Sequence, residues 1–472
     1  MTRPAEAARG RVAPARTAAY DIMRAVGSGA ADLPHALARA RARLPDERDR
    51  ALAGEIAVGT LRWQGAFDRI AAEFTRRPIT QLDPEVVDIL RITIFQLLHL
   101  DRVPASAAVS DAVSLAKKVG KTSAAPLVNA VLRRVSRKRD RLPLPRRPTD
   151  DADRNAAIEY LSVTLSHPRW LAERWLDRYG FEAAEAWLRF NNSPAPLTIR
   201  INGLRTTSDD LIAALASHGV IVEPGRYAPG ALVVTAGNPL LTPLAGEGFF
   251  FVQDEASQLV ARLVEAGPGD RVLDACASPG GKTVAIADAM GNRGLIVASD
   301  ARGKRIDLLA RTITSSGASS VRVVQADAGM LPFAGPDRSD RQQHIAAPLF
   351  DWVLLDAPCS GLGTLRRDPD LKWRRVESDL PTLAAFQLDM LSEAGRVLRP
   401  GGRLIYATCS SEPEENEHVV ARFLKESGFA VDLPTNLPAQ VESLIDRSGH
   451  LRTYPFRDRL EAFFGAVLRK PV

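Results

Sequence analysis

Past Phe249 the chain alternates short apolar runs with helical stretches, and this alternation restricts the fold more than any other feature. Strand-like runs fall at 271–276, 294–300, 321–327, 350–356 and 403–408, with helical patterning at 282–290, 304–315 and 380–398 between them. Strands separated by helices predict a mostly parallel sheet covered on both faces, because each parallel crossover needs a long connection. A last run at 462–469 is expected to pair antiparallel at the far side of that sheet.

The rest of the chain reads differently. Apolar residues recur at helical spacing at 20–26, 51–63, 86–100, 107–119 and 126–135, without strand-like alternation. Asp83 before Pro84 has the form of a helix N-cap followed by proline in the first turn. A proline-containing basic stretch at 143–153 reads as a linker, and 156–191 returns to helical patterning. Strands are expected at 197–202, 220–224 and 232–235, with a helix at 207–218, a small α+β module. The fold class is thus multidomain: an all-α N-terminal domain at 1–142, an α+β module at 154–245 and a Rossmann-like α/β domain at 246–472.

Charge follows the same division. The net +6 combines +11 in residues 1–150 with −5 in the remainder, so a polyanion-binding module joined to a catalytic body is expected. Arg133, Arg134, Arg137 and Lys138 lie in the densest basic stretch. The longest apolar runs are broken by charges below membrane-spanning length, and residues 1–15 lack the apolar core of a secretory signal. Three cysteines are too few for a disulfide framework, and a reducing cytoplasm fits them. Neither they nor His344 and His418 have zinc-ligand spacing, so no metal is expected.

Ligands of open parallel sheets bind beyond the carboxyl ends of the strands, near the point where strand order reverses. The first run leads into Cys276, Ala277, Ser278, Pro279, Gly280, Gly281 and Lys282, a turn whose glycines let backbone approach a ligand at a helix N-terminus. It is neither GxGxxG nor a P-loop. Asp300 closes the second run about 20 residues on, where a carboxylate grips ribose hydroxyls, and Asp327 closes the third, placed for an adenine amino group. Together they outline a nucleoside pocket.

Asp356 ends the fourth run and leads into Cys359, while Cys409 follows the fifth. Two thiols beside a carboxylate suit methylation of cytosine at C5. That carbon becomes nucleophilic only after a thiolate adds to C6, with Asp356 serving ring nitrogen N3 and a base later removing the C5 proton. The target base must first be flipped out of its stack. On this chemistry either cysteine can attack. Arg366, Arg367, Lys372, Trp373 and Arg374 follow the Cys359 loop and are expected to hold phosphates and stack on a base.

These motifs resemble the cytosine-C5 RNA methyltransferases. The likeness rests on Val252, Gln253, Asp254, Glu255, Ala256, Ser257 and Gln258, on the Cys276-to-Thr283 loop, on Asp356 through Gly361, and on Thr408, Cys409 and Ser410. The N-terminal helices, through Leu127, Val128, Asn129, Ala130, Val131, Leu132, Arg133 and Arg134, resemble the NusB fold. The combination resembles the bacterial ribosomal RNA small subunit methyltransferase B family, over nearly the whole chain. The resemblance implies S-adenosylmethionine as cofactor, small-subunit ribosomal RNA as partner, 5-methylcytosine as product and a monomer. It implies Cys409 as the nucleophile, Cys359 in product release, and cofactor contacts from Cys276 through Lys282, Asp300, Asp327 and Asp356, with Lys282 also touching the flipped base. Ser278 stands where the family commonly has alanine or proline. The competing readings are a transfer RNA methyltransferase and a non-catalytic ribosome-assembly or antitermination factor.

Overall fold

A computed structural model describes residues 12–149, 153–333, 350–435 and 437–472. His344 and most of the segment read for a secretory signal lie outside the described residues. The chain forms two compact units, Met1–Ser193 with Leu365–Arg375, and Pro194–Thr364 with Val376–Val472.

The first unit is helical. Helices at Pro14–Gly27, Leu33–Arg43, Glu47–Thr75, Pro84–His99, Ala105–Lys118 and Ala125–Arg137 enclose a core built on Ile56, Phe67, Ile70, Ile89 and Leu132. Pro84 occupies the first turn as expected, but the Asp83 side chain makes no cap bond and pairs with Lys121 at 3.0 Å. Glu47–Thr75 runs well beyond the 51–63 stretch, capped by Asp46. The helices Arg154–Glu159, Arg169–Tyr179 and Phe181–Asn192 fall within this unit. Their core is stacked Trp175 and Trp187, both fully buried.

The second unit holds two sheets. In the smaller, β1 (Thr198–Ile201) pairs antiparallel with β3 (Ala231–Ala236) and β4 (Phe250–Val252), while β2 (Ile221–Pro224) flanks β3. The larger contains β5 (Arg271–Asp274), β6 (Leu295–Asp300), β7 (Val321–Gln325), β8 (Phe350–Asp356), β9 (Leu398–Thr408), β10 (Ala430–Asp432), β11 (Leu451–Arg452) and β12 (Phe464–Arg469). Its order is β10-β12-β9-β8-β5-β6-β7, with β11 also on β12. Strands β5 to β9 run parallel, and β12 lies antiparallel to β9 as expected. Val353, Leu354 and Leu355 are fully buried, as a strand covered on both faces requires, each worth roughly 1.5–3 kcal/mol of burial. The chain leaves β5 toward β6 and later returns to its other edge as β8, so strand order reverses between β5 and β8. Such a reversal point is where open parallel sheets bind ligands, beyond the carboxyl ends of the two strands. Among the described residues no helix is long and apolar enough to cross a membrane.

Candidate active site

Both loops at the reversal point carry the expected residues. After β5, Gly280 adopts φ 109°, and a Cβ there would lie 2.9 Å from Leu309 Cδ1, so the turn needs glycine. Gly281 then opens the helix Gly281–Ala289. Two arginines that sequence patterning did not single out brace this loop. Arg200, on β1, is buried and donates to Gln253 Oε1 at 2.8 Å and to the Gly281 carbonyl at 3.0 Å; burial pushes it down to about 10. Arg305 pairs with Asp300 at 3.2 Å and donates to the Ser278 carbonyl at 2.8 Å. The Ser278 hydroxyl returns a bond to the Arg305 carbonyl at 3.0 Å, which gives this unusual serine a structural partner. Asp300 is buried at the end of β6, whereas Asp327 lies two residues past β7, exposed and holding its own turn through the Gly329 N–H.

Carboxylates converge on the loop. Cys276 is held well above the ordinary thiol range by burial and then by Asp356, Asp274 and Asp300, so it stays a neutral thiol. Asp274 is buried at the end of β5, accepts from Thr283 Oγ1 at 2.7 Å and leaves its other oxygen unbonded. Burial pushes it up to about 7, offset in part by the Thr283 bond. Lys282 Nζ meets Asp356 Oδ2 at 2.6 Å. Burial favours the neutral amine there, but the Asp356 carboxylate outweighs it and keeps Lys282 protonated beyond the ordinary lysine range.

The two sulfur atoms, 50 residues apart in sequence, lie 3.3 Å from each other. They meet because β8 and β9 are parallel neighbours that release their loops at the same edge. Backbone locks the loops together: the Gly363 N–H donates to the Cys409 carbonyl at 2.9 Å. The hydrogen bond with Cys409, and then burial, hold Cys359 well above the ordinary thiol range.

This donor set fits a nucleoside sulfonium. Gly280 and Gly281 allow close approach, buried Asp300 suits hydroxyl groups, and the convergent carboxylates suit a positive charge. Among the described residues no group of three or more His, Cys, Asp or Glu is arranged to hold a metal ion.

The candidate RNA contacts divide. Arg133, Arg137 and Lys138 are exposed at the end of Ala125–Arg137, and Arg134 lies over the Phe74 ring at 4.9 Å. Arg367 is half-buried and Arg374 pairs with Asp370 at 3.1 Å. Three expected contacts have partners within the fold. Lys372 is buried, donating to the Arg62 carbonyl at 2.8 Å and to Asn192 Oδ1 at 3.2 Å. Trp373 packs on the helical core and donates to the Leu61 carbonyl at 2.7 Å. Arg366 stacks over the Phe190 ring at 4.3 Å. All three make these contacts inside the first unit.

The family profile described as 16S rRNA methyltransferase RsmB/F matches residues 261–469. The NusB family profile matches 13–137, and a ferredoxin-like domain of RsmF/B-like methyltransferases matches 167–240. A probable ribosomal RNA small subunit methyltransferase B of Bacillus subtilis (strain 168) is 34% identical, spanning 90% of this chain and 91% of the relative. The ribosomal RNA small subunit methyltransferase B of Pseudomonas putida is 35% identical, spanning 92% and 96%. A solved methyltransferase homolog protein from Pyrococcus horikoshii superimposes with a TM-score of 0.55 at 26% identity, covering 66% of this chain and 99% of that one.

Proposed function

The chain belongs to the RsmB/F family of 16S rRNA methyltransferases and is a methyltransferase, and from that premise we propose that it methylates C5 of one cytosine in small-subunit ribosomal RNA, with Cys409 as the covalent nucleophile. The observation that carries this reading is the pair of sulfur atoms 3.3 Å apart on the loops that follow β8 and β9. S-adenosylmethionine, when bound, supplies the methyl group. The residues from Cys276 to Lys282, with Asp300, Asp327 and Asp356, hold it.

Cys359 Sγ lies 3.3 Å from Cys409 Sγ, within hydrogen-bond reach of a thiolate formed there. Cys409 Sγ then donates its electron pair to C6 of the flipped base, forming a carbon–sulfur bond. The ring's displaced electrons are met at N3 by the proton that Lys282 and Asp356 hold between them. Once C5 is methylated, a base from solvent takes its proton, the C–H electron pair forms the C5–C6 double bond, and the carbon–sulfur bond breaks with its pair returning to Cys409 Sγ. Cys359 serves that release.

The experiment is covalent trapping with RNA on the full chain. Cys359→Ala is expected to accumulate a denaturation-resistant protein–RNA adduct, and Cys409→Ala to give neither adduct nor product. An adduct from Cys409→Ala would reverse the roles of the two thiols. Bisulfite mapping of ribosomal and transfer RNA, with and without the gene, identifies the modified cytosine.

A further inference from the structure

Each reacting cysteine is followed by a buried serine, and both serines end on one carboxylate. Glu415 is fully buried. Its Oε1 accepts from the Ser360 N–H at 2.8 Å and from Gln387 Nε2 at 3.0 Å. Its Oε2 accepts from the Ser360 and Ser410 hydroxyls, each at 2.5 Å. An ionised carboxylate offers about four acceptor sites and no donor, and all four are matched here. The surroundings fix the carboxylate in turn: the Tyr406 hydroxyl donates to the Glu415 carbonyl at 2.6 Å, and Gln387 also donates to the Pro358 carbonyl at 3.0 Å. Asn416 serves one loop only, bonding the Ser410 carbonyl and accepting from Thr408 Oγ1. Glu415 reaches both.

We propose that Glu415 is a positioning residue for the methyl-transfer reaction: one buried carboxylate ties the Cys359 loop to the Cys409 loop and thereby sets the distance between their sulfur atoms. It touches neither sulfur and acts through Ser360 and Ser410. The proposal rests on the reading of Cys409 and Cys359 as the reacting pair. It goes beyond that reading by naming what keeps the pair in register.

The test reads sulfur proximity directly, without RNA or cofactor. Diamide takes two electrons and two protons from a thiol pair, leaving a disulfide and the reduced hydrazine. Sulfur atoms at 3.3 Å need only a short movement to reach the bond length of about 2.05 Å. In the folded full-length protein, Glu415→Ala is expected to slow formation of the Cys359–Cys409 disulfide by about tenfold or more, because misplacement near 1 Å can cost reacting groups about a hundredfold. Turnover is expected to fall with it, while S-adenosylmethionine affinity holds. Glu415→Gln keeps the size and the Oε1 bonds and is expected to restore most of both rates, which a general loss of stability would not allow. Ser410→Ala removes one arm and is expected to show the same defect in milder form, and it serves if Glu415→Ala does not fold. Wild-type cross-linking rates in both folded variants would overturn the clamp. If those rates stay at wild type while Cys359→Ala still traps RNA, only the clamp is lost. If Cys359→Ala traps nothing, the functional reading itself fails.

Discussion

Asp274 shows how one buried carboxyl makes the fold sensitive to pH. Its value rises from 3.8 to about 7, chiefly through burial. Between those values the folded protein keeps a proton that the unfolded chain has released, so stability falls as pH rises through this window and levels off above about 7. At about 1.4 kcal/mol per pH unit, the displacement corresponds to about 4 kcal/mol. Asp274→Asn keeps an acceptor for Thr283 and removes the ionisation. The variant is expected to gain stability relative to the parent as pH goes from 5 to 8, measured by urea denaturation at each pH. Parallel curves for the two proteins would show that Asp274 ionises as freely as an exposed carboxyl. Nothing in the run around Asp274 separates it from Asp300 or Asp356, because burial is a property of what packs over the residue.

At the scale of the element, the two cysteine loops are held by backbone as well as by side chains. Gly363 donates its N–H to the Cys409 carbonyl and accepts from the Ala462 N–H, both at 2.9 Å. A Cβ at Gly363 would run into the Ala462 carbonyl and come within 2.7 Å of the Cys409 carbonyl oxygen. Gly363→Ala is therefore expected to cost about 1–3 kcal/mol of stability through overpacking. Because the displaced loop carries Cys359, turnover is expected to fall by about a hundredfold. Single-turnover methyl transfer at saturating cofactor measures the second effect, and normal turnover would show that the loops tolerate separation. The acidic run at Glu412, Glu414, Glu415 and Glu417 teaches a related point. Glu412 and Glu415 are nonetheless fully buried, Glu412 accepting from the neighbouring Ser411 hydroxyl and Glu415 from the Ser360 hydroxyl 55 residues away.

For the whole molecule, the first unit decides how RNA binding is to be tested. Deleting the N-terminal helices would strip the partners from Lys372 and Trp373, since Arg62 and Leu61 hold them, and would leave an apolar face exposed. Substitution of exposed charges avoids that. Replacing Arg133, Arg137 and Lys138 with alanine is expected to leave the fold intact and weaken RNA binding. The slope of log affinity against log salt should fall by about 2, at about 0.7 per phosphate contact on single-stranded RNA. Binding titrations from low to high salt measure it, and an unchanged slope would remove this helix end from the RNA path.

The sequence alone determined the order of strands and helices, the chemistry at each strand end and the kind of reaction they suit, because hydrophobic period and turn chemistry are local. It placed Cys359, Cys409, Lys282 and Asp356 at the rim of one sheet. The fold decided which of them touch. The sulfur pair spans 50 residues of sequence, the Lys282–Asp356 pair 74, and the Lys372 anchor 310. Such meetings depend on which strands become neighbours and which surfaces remain to be covered, and no local pattern encodes either. For the same reason Lys372 and Trp373, basic and aromatic in a segment that follows the reactive loop, became internal anchors, while Glu415 and Arg200 became supports of the site.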